Sequence, residues 1–289
     1  MITPMRSRMQ RSLQMNKTYT ILSFPSSGRH WLKEILTEYS TAPNKFNEIS
    51  ISAISKQFIG FGRSKKNVFP EIEYTHDVTR GKYQHDWRYD ELEGIKDPEL
   101  YNSDYTVMLM RDPRDIVVSW YYVKKNRDPW IYRLQEPEKK LNITKDIDEF
   151  VYDEIFGIKK IVAAYNLWVP VKYKFSYEDM NLDLQATITK LIQHFGVSVV
   201  EKDLKEAIEK VKFEKMKERE SKLIERYPMH FPDRDFEMEQ VRKWRKGIAG
   251  GYVDELRSDT IAWINEYLRE NLNPIYERYY DEPGTKIHV

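Results

Sequence analysis

Hydrophobic positions along this chain switch repeatedly between a period of two and a period near three and a half. Tyr19, Ile21, Leu22 and Phe24 form a short aromatic and aliphatic run that stops at Pro25, the pattern of a buried strand. After Pro25-Ser26-Ser27-Gly28, which is turn chemistry, Trp31, Leu32, Ile35, Leu36 and Tyr39 recur at helical spacing. The same strand-to-helix switch returns at residues 105–110, Tyr-Thr-Val-Met-Leu-Met, the clearest buried strand in the chain. That strand runs into Arg111-Asp112-Pro113-Arg114-Asp115 and an amphipathic helix over 116–125, with Pro113 suited to a first helical turn and the acids to a helix N-terminus. Shorter strands are predicted over 71–76 and 172–177, the second followed by Glu178-Asp179-Met180. Helices are predicted over 44–58, 145–156, 157–169 (ended by Pro170), 184–195, a strongly charged 204–224, and 254–271. Residues 60–66 and 227–235 read as loops, and 243–251 as a basic, glycine-rich segment. No fixed-period repeat or low-complexity linker divides the chain, so the pattern predicts an α/β fold: a single domain with a central, mainly parallel β-sheet flanked by helices.

Composition narrows the function classes. Lys and Arg number 47 against 46 Asp and Glu, a net charge of +1, which argues against a general nucleic-acid binder. With no cysteine, disulfides and thiolate metal sites are excluded, and an intracellular, cytoplasmic setting is favoured. No apolar run approaches the roughly 20 residues of a membrane span. Residues 1–17 carry Arg6, Arg8, Arg11 and Lys17 with no acid and no apolar core, which predicts a disordered basic tail ahead of a folded domain at 18–289. The 20 tyrosines and 7 tryptophans suit pockets that stack planar ligands, and equally a dense core.

The candidate chemistry lies at the two strand-to-helix junctions. A tight loop of this kind turns backbone N–H groups and the positive end of a helix toward one point, a P-loop-like cradle for a phosphate. Gly28 permits close approach, Ser26 and Ser27 add hydroxyls, and Arg29 and His30 add positive charge. The nucleoside-triphosphate signature Gly-x-x-x-x-Gly-Lys-Ser/Thr is absent. Two such junctions side by side in a parallel sheet bracket a ligand with two anionic ends. His76, at the end of a strand, is the best general-base candidate, because imidazole titrates near neutrality. His85, in Gln84-His85-Asp86, makes no defensible metal spacing with it, and no metal is expected.

Five segments, in order, resemble the sulfotransferases that use 3′-phosphoadenosine 5′-phosphosulfate (PAPS), closest in layout to the cytosolic small-molecule branch. Phe24-Pro25-Ser26-Ser27-Gly28-Arg29-His30-Trp31 resembles the loop that holds the 5′-phosphosulfate. The run from Arg111 to Ser119, with arginine and serine eight positions apart, resembles the 3′-phosphate site. Tyr177-Glu178-Asp179-Met180 resembles the segment whose tyrosine approaches the adenine, and Phe213-Glu214-Lys215-Met216 a second nucleotide-contacting segment. Arg245-Lys246-Gly247 resembles the basic loop over the 3′-phosphate, and Trp31 the family tryptophan that stacks on adenine. Tyr74-Thr75-His76 resembles the Lys-Thr-His segment whose histidine takes the acceptor's proton. The resemblance thus implies PAPS as donor, adenosine 3′,5′-bisphosphate (PAP) as product, no metal, and in-line transfer of a sulfuryl group to a hydroxyl, or an amine, of a small-molecule acceptor.

The chain departs from that pattern in places. Ser26 stands where the family's loop carries a lysine or arginine; Arg29 and His30 replace a pair of small hydroxyl residues and are the candidates for the missing charge. Val211 replaces a frequent hydroxyl residue near the adenine, and Tyr74 replaces the lysine before the histidine. These departures keep open a catalytically impaired nucleotide-binding protein of the same fold; a kinase-like phosphoryl transferase is disfavoured by the missing triphosphate signature. The aromatic-rich segments 46–61, 83–89 and 121–130 favour a flat or apolar acceptor, whereas Lys65, Lys66, Lys124, Lys125 and Arg127 would suit an anionic sugar or peptide. No nucleic acid is expected as partner, and the sequence leaves both a monomer and a homodimer open.

Overall fold

The structure, a computed structural model, describes residues 18–41, 69–76, 101–127, 145–154, 156–226, 246–280 and 287–288. The helix predicted over 44–58, the loops at 60–66 and 227–235, the basic tail 1–17, His85 and Arg245 lie outside the described residues.

In chain order the elements are β1 (Thr18–Ser23), α1 (Arg29–Thr41), β2 (Glu71–Thr75), β3 (Thr106–Met110), α2 (Pro113–Tyr122), α3 (Ile147–Val151), α4 (Ile158–Leu167), β4 (Tyr173–Ser176), α5 (Tyr177–Leu182), α6 (Leu184–His194), α7 (Glu201–Lys210), α8 (Phe213–Arg226), β5 (Ile248–Ala249), α9 (Ser258–Asn271) and β6 (Ile287–His288). A π-helical turn, Val123–Arg127, extends α2, and 3₁₀ turns span Gly251–Asp254 and Pro274–Tyr279.

The main sheet is parallel throughout, in the order β2-β1-β3-β4, and the small β5-β6 pair is antiparallel. Because every strand of the main sheet points the same way, the segments after β1, β2, β3 and β4 all emerge at one edge, where open α/β sheets bind ligands. Side chains alternate between two cores. Leu22 and Met108 face a layer built with α2, α4 and α9, including Ile116, Trp168 and Ile264. Ile21, Val107 and Leu109 face a second layer with α1, α6 and α7, including Trp31, Leu32, Ile188, Leu191 and Leu204.

The helix starts at this edge are tightly defined. Asp112 caps α2 by accepting from the backbone N–H of Arg114, with Pro113 in the first turn. Ser176 caps α5 in a reciprocal box with Asp179, whose carboxylate accepts from the Ser176 N–H.

Three predicted helices are corrected, the one over 145–156 being confined to Ile147–Val151. Residues 204–224 form two helices, α7 and α8, with a break at Val211 and Lys212. Val211 is fully buried and leaves helical geometry at φ −112° and ψ 18°, and its carbonyl accepts from Trp31 Nε1 at 3.1 Å. The non-helical backbone at Val211 ends α7, and the indole bond satisfies the carbonyl left at the break. The last long helix likewise begins at Ser258, four residues later than the expected 254, behind the 3₁₀ turn Gly251–Asp254.

Candidate functional site at the C-terminal edge of the sheet

Directly after β1 the chain turns twice through the left-handed region, at Ser26 (φ +69°) and Gly28 (φ +87°). For Ser26 this conformation carries a steric cost that glycine does not meet. The turn is closed by the Ser27 N–H on the Phe24 carbonyl at 3.3 Å, and α1 starts with the Leu32 N–H on the Gly28 carbonyl at 3.2 Å. Gly28 lies against Tyr177 so closely that an added Cβ would fall 2.5 Å from the ring's Cδ2. Ser27 is fully buried and its Oγ has no hydrogen-bond partner among the described residues. A buried hydroxyl without a partner, beside a helix N-terminus, fits an anion's oxygen as the missing acceptor.

At the second junction Arg111 is the hub. Its Nη1 donates to the Ser26 carbonyl at 2.9 Å, its Nη2 donates to the Ile248 carbonyl at 3.3 Å, and Nη2 stands 3.7 Å from Oδ2 of Asp115. The guanidinium lies over the Tyr177 ring, 4.4 Å from its centroid. Its Nε is buried with no hydrogen-bond partner among the described residues. The Arg111 backbone is held by Tyr165, whose hydroxyl accepts from the N–H at 2.8 Å and donates to the C=O at 2.6 Å. One arginine therefore joins β5, the loop after β1 and the loop after β3.

His76 follows β2. Its Nδ1 lies 2.7 Å from the Ser23 carbonyl. A carbonyl only accepts, so Nδ1 carries the proton and Nε2 is left with a lone pair. Burial, and next the Arg29 charge, hold the imidazole well below its usual value, against a smaller upward pull from the Ser23 hydrogen bond. The ring is thus an unprotonated base at neutral pH.

The other predicted residues distribute unevenly. Trp31 is 4% exposed, edge-on to Tyr177 at 5.8 Å, with its N–H on Val211, so it packs in the core while bordering the tyrosine. Met216 is buried in the same layer as Trp31 and Tyr177. Phe213 lies beneath Gly247 (φ +66°), where an added Cβ would meet its Cδ2 at 2.4 Å. Pro25 is buried at the loop's entry, and Arg29 and His30 stand half-buried at the start of α1. Lys246 reaches Glu255, which also accepts from the Tyr122 hydroxyl at 2.7 Å. Ser119 is half-buried, two turns into α2. The structure brings Ser26, Gly28, Trp31, Tyr177, Arg111 and the segment 247–250 into one connected site, with His76 joined to the same loop through Ser23.

Two residues of this site escape sequence reasoning. Asp115 accepts from the Gly250 N–H at 2.7 Å and the Tyr252 N–H at 3.1 Å. Glu178 accepts from the Asp112 N–H at 2.9 Å and the Tyr279 hydroxyl at 3.1 Å. The spacing of Asp115 from Arg111, i to i+4 across the first helical turn, is the only local signal either offers.

A family model described as a sulfotransferase domain matches residues 17–275. Among curated proteins, sulfotransferase 2A1 of Homo sapiens is 23% identical over 281 residues, covering 86% of this chain and 80% of that protein. Sulfotransferase 2A1 of Macaca fascicularis is 24% identical over 270 residues, covering 88% and 84% respectively. The fold is shared with solved structures of mouse sulfotransferase SULT7A1 complexed with PAP (TM-score 0.51, 16% identity, 89% of this chain and 84% of that one). It is shared too with retinol dehydratase in complex with androsterone and the inactive cofactor PAP (TM-score 0.52, 16% identity, 89% and 80%). No described helix is long and apolar enough to cross a membrane.

Proposed function

The chain belongs to the sulfotransferase family, and on that premise we propose that it moves a sulfuryl group from PAPS to a hydroxyl of a small-molecule acceptor, with His76 as general base. The observation that carries this reading is the placement of His76: Nδ1 lies 2.7 Å from the carbonyl of Ser23, the last residue of β1 before the loop, which leaves Nε2 as the ring's acceptor. An imidazole kept neutral in this way has a ring nitrogen open to accept a proton.

The donor has two anionic ends, and the site has two matching regions. The buried Ser27 hydroxyl and the N-terminus of α1 would receive the phosphosulfate. Arg111, whose Nε has no described partner, would take the 3′-phosphate with Ser119, Arg245, Lys246 and Gly247. Tyr177, Trp31, Phe213 and Met216 would border the adenine. The acceptor oxygen attacks sulfur as its proton passes to His76 Nε2. The bond from sulfur to the bridging oxygen breaks, and that electron pair leaves with PAP. Charge grows on the departing oxygen beside a loop where Ser26 replaces the usual cation; Arg29, whose charge is felt at His76, supplies it. The fold neighbours whose structures hold androsterone or retinol favour an apolar hydroxyl-bearing acceptor.

Calorimetric titration with PAP, AMP and ATP tests the donor reading. Micromolar PAP binding that requires the 3′-phosphate and weakens at least tenfold in Arg111→Ala is the expected result. Equal binding of ATP, or no binding, refutes it. The loss of the loop cation favours one alternative, a nucleotide-binding protein too slow to be an enzyme. That alternative predicts the same PAP affinity with no transfer of sulfate to any of a panel of phenols and steroids.

A further inference from the structure

Asp115 has no place in the reaction just described, yet it is 3% exposed and its carboxylate lies between the arginine assigned to the 3′-phosphate and the backbone of residues 250–252. Its Oδ2 accepts from the Gly250 N–H at 2.7 Å and faces Arg111 Nη2 at 3.7 Å. Its Oδ1 accepts from the Tyr252 N–H at 3.1 Å. In the turn it grips, Gly250 is left-handed at φ +77°, a conformation that favours glycine. Arg111 closes the ring by donating to the Ile248 carbonyl, one residue before β5 ends. A guanidinium just before one helix and a carboxylate in its first turn therefore hold, between them, a carbonyl and two amides of a segment 135 and 137 residues away.

We propose that Asp115 is a positioning residue for the donor's 3′-phosphate: it fixes the 248–252 turn in register with Arg111, so that the two separate parts of the phosphate site face the same group. This rests on the donor reading above. A packing role alone would be filled by a neutral residue of the same shape. The observed role needs a charged acceptor for two amides and a counter-charge for a buried guanidinium. A second fastening, Lys246 to Glu255 to Tyr122, holds the start of the same segment to α2.

The test is Asp115→Asn, titrated with PAP and with AMP, beside a thermal melt. The proposal expects the ratio of PAP to AMP affinity to fall at least tenfold while AMP affinity stays within threefold. It also expects little further loss when the same change is made in an Arg111→Ala background. A ratio within threefold of the parent protein overturns it, because a merely structural aspartate would lower the melting temperature and weaken both ligands alike. If the parent protein itself fails to prefer PAP, the donor reading falls, and that failure is visible before any variant is made. Should Asp115→Asn not fold, amide exchange of the peptide covering 248–256 decides. PAP slows it in the parent protein and not in Arg111→Ala; equal protection in both overturns the proposal.

Discussion

Glu178 offers the sharpest quantitative test of the site's electrostatics. Its carboxyl lies behind the Arg111 loop, accepting from the Asp112 N–H and from the Tyr279 hydroxyl, which burial keeps protonated and so a donor. Burial first, and the neighbouring Asp112 carboxylate next, push Glu178 up to about 7, while two backbone N–H groups and Arg111 pull it back. Its folded value is therefore above the unfolded value of 4.5, so the folded state binds more protons than the unfolded state between the two. The stabilisation is complete below about pH 4.5 and is lost as pH rises through about 7. The rise from 4.5 to about 7 corresponds to a ceiling of roughly 3 kcal/mol at about 1.4 kcal/mol per pH unit. Partial exposure of the side chain lowers the expected effect to about 2 kcal/mol. Urea unfolding of the parent protein and Glu178→Gln at pH 5, 6, 7 and 8 reports on this group and the charges coupled to it, because the titrations of distant groups cancel in the difference. Glutamine keeps an acceptor for the Asp112 N–H but carries no charge. The variant should gain about 2 kcal/mol relative to the parent between pH 5 and pH 8. A flat difference, or one that changes in the opposite direction, refutes the argument that burial and Asp112 dominate at Glu178.

Other perturbations probe the remaining parts of the site. His76→Asn should lower kcat by about 10²- to 10⁴-fold with donor affinity unchanged, and unaltered turnover would remove His76 as base. Because burial and Arg29 hold His76 well below 6.5, the acid limb of the kcat profile should lie below pH 6.5, with a plateau through neutrality; a midpoint at or above 6.5 contradicts the assigned environment. Ser27→Ala removes a buried hydroxyl with no described partner, so stability should change by less than about 0.5 kcal/mol while PAPS affinity falls roughly tenfold. Gly28→Ala drives a methyl into Tyr177 at a left-handed position and should cost about 2–4 kcal/mol of stability by calorimetric melting, together with the loss of PAP binding.

The parts of this fold that the sequence showed are those written in local period. β1, β3 and their following helices are visible because Ile21, Leu22 and the run 106–110 are buried as blocks, and Pro25 and Pro113 punctuate them. The break at Val211 was hidden, because 204–224 has an unbroken helical charge pattern. The carbonyl at that break is bonded by the indole N–H of Trp31, 180 residues earlier, a contact no local pattern shows. Asp115 and Glu178 were hidden for the same reason. Both read as ordinary helix N-terminal acids, and the amides that define their roles come from 135 and 66 residues away. Trp31 fitted two roles at the level of sequence, nucleotide stacking and core packing. The structure displays the second, with the tryptophan's edge meeting the tyrosine expected to approach the adenine.

The arrangement also explains how a serine is accommodated at the head of the first loop. Ser26 turns through φ +69°, which carries its carbonyl to Arg111 Nη1 at 2.9 Å. The same guanidinium reaches Ile248 and rests on Tyr177, and Tyr177 in turn limits Gly28. The two ends of the site are thus joined through one side chain, and the loop's left-handed turn is held by a charge borrowed from the other strand-to-helix junction. Removing Arg111 would release the Ser26 carbonyl and the Ile248 carbonyl together. Its substitution should therefore loosen the first loop as well as the 3′-phosphate region, a coupling that a lysine on the loop itself would not produce.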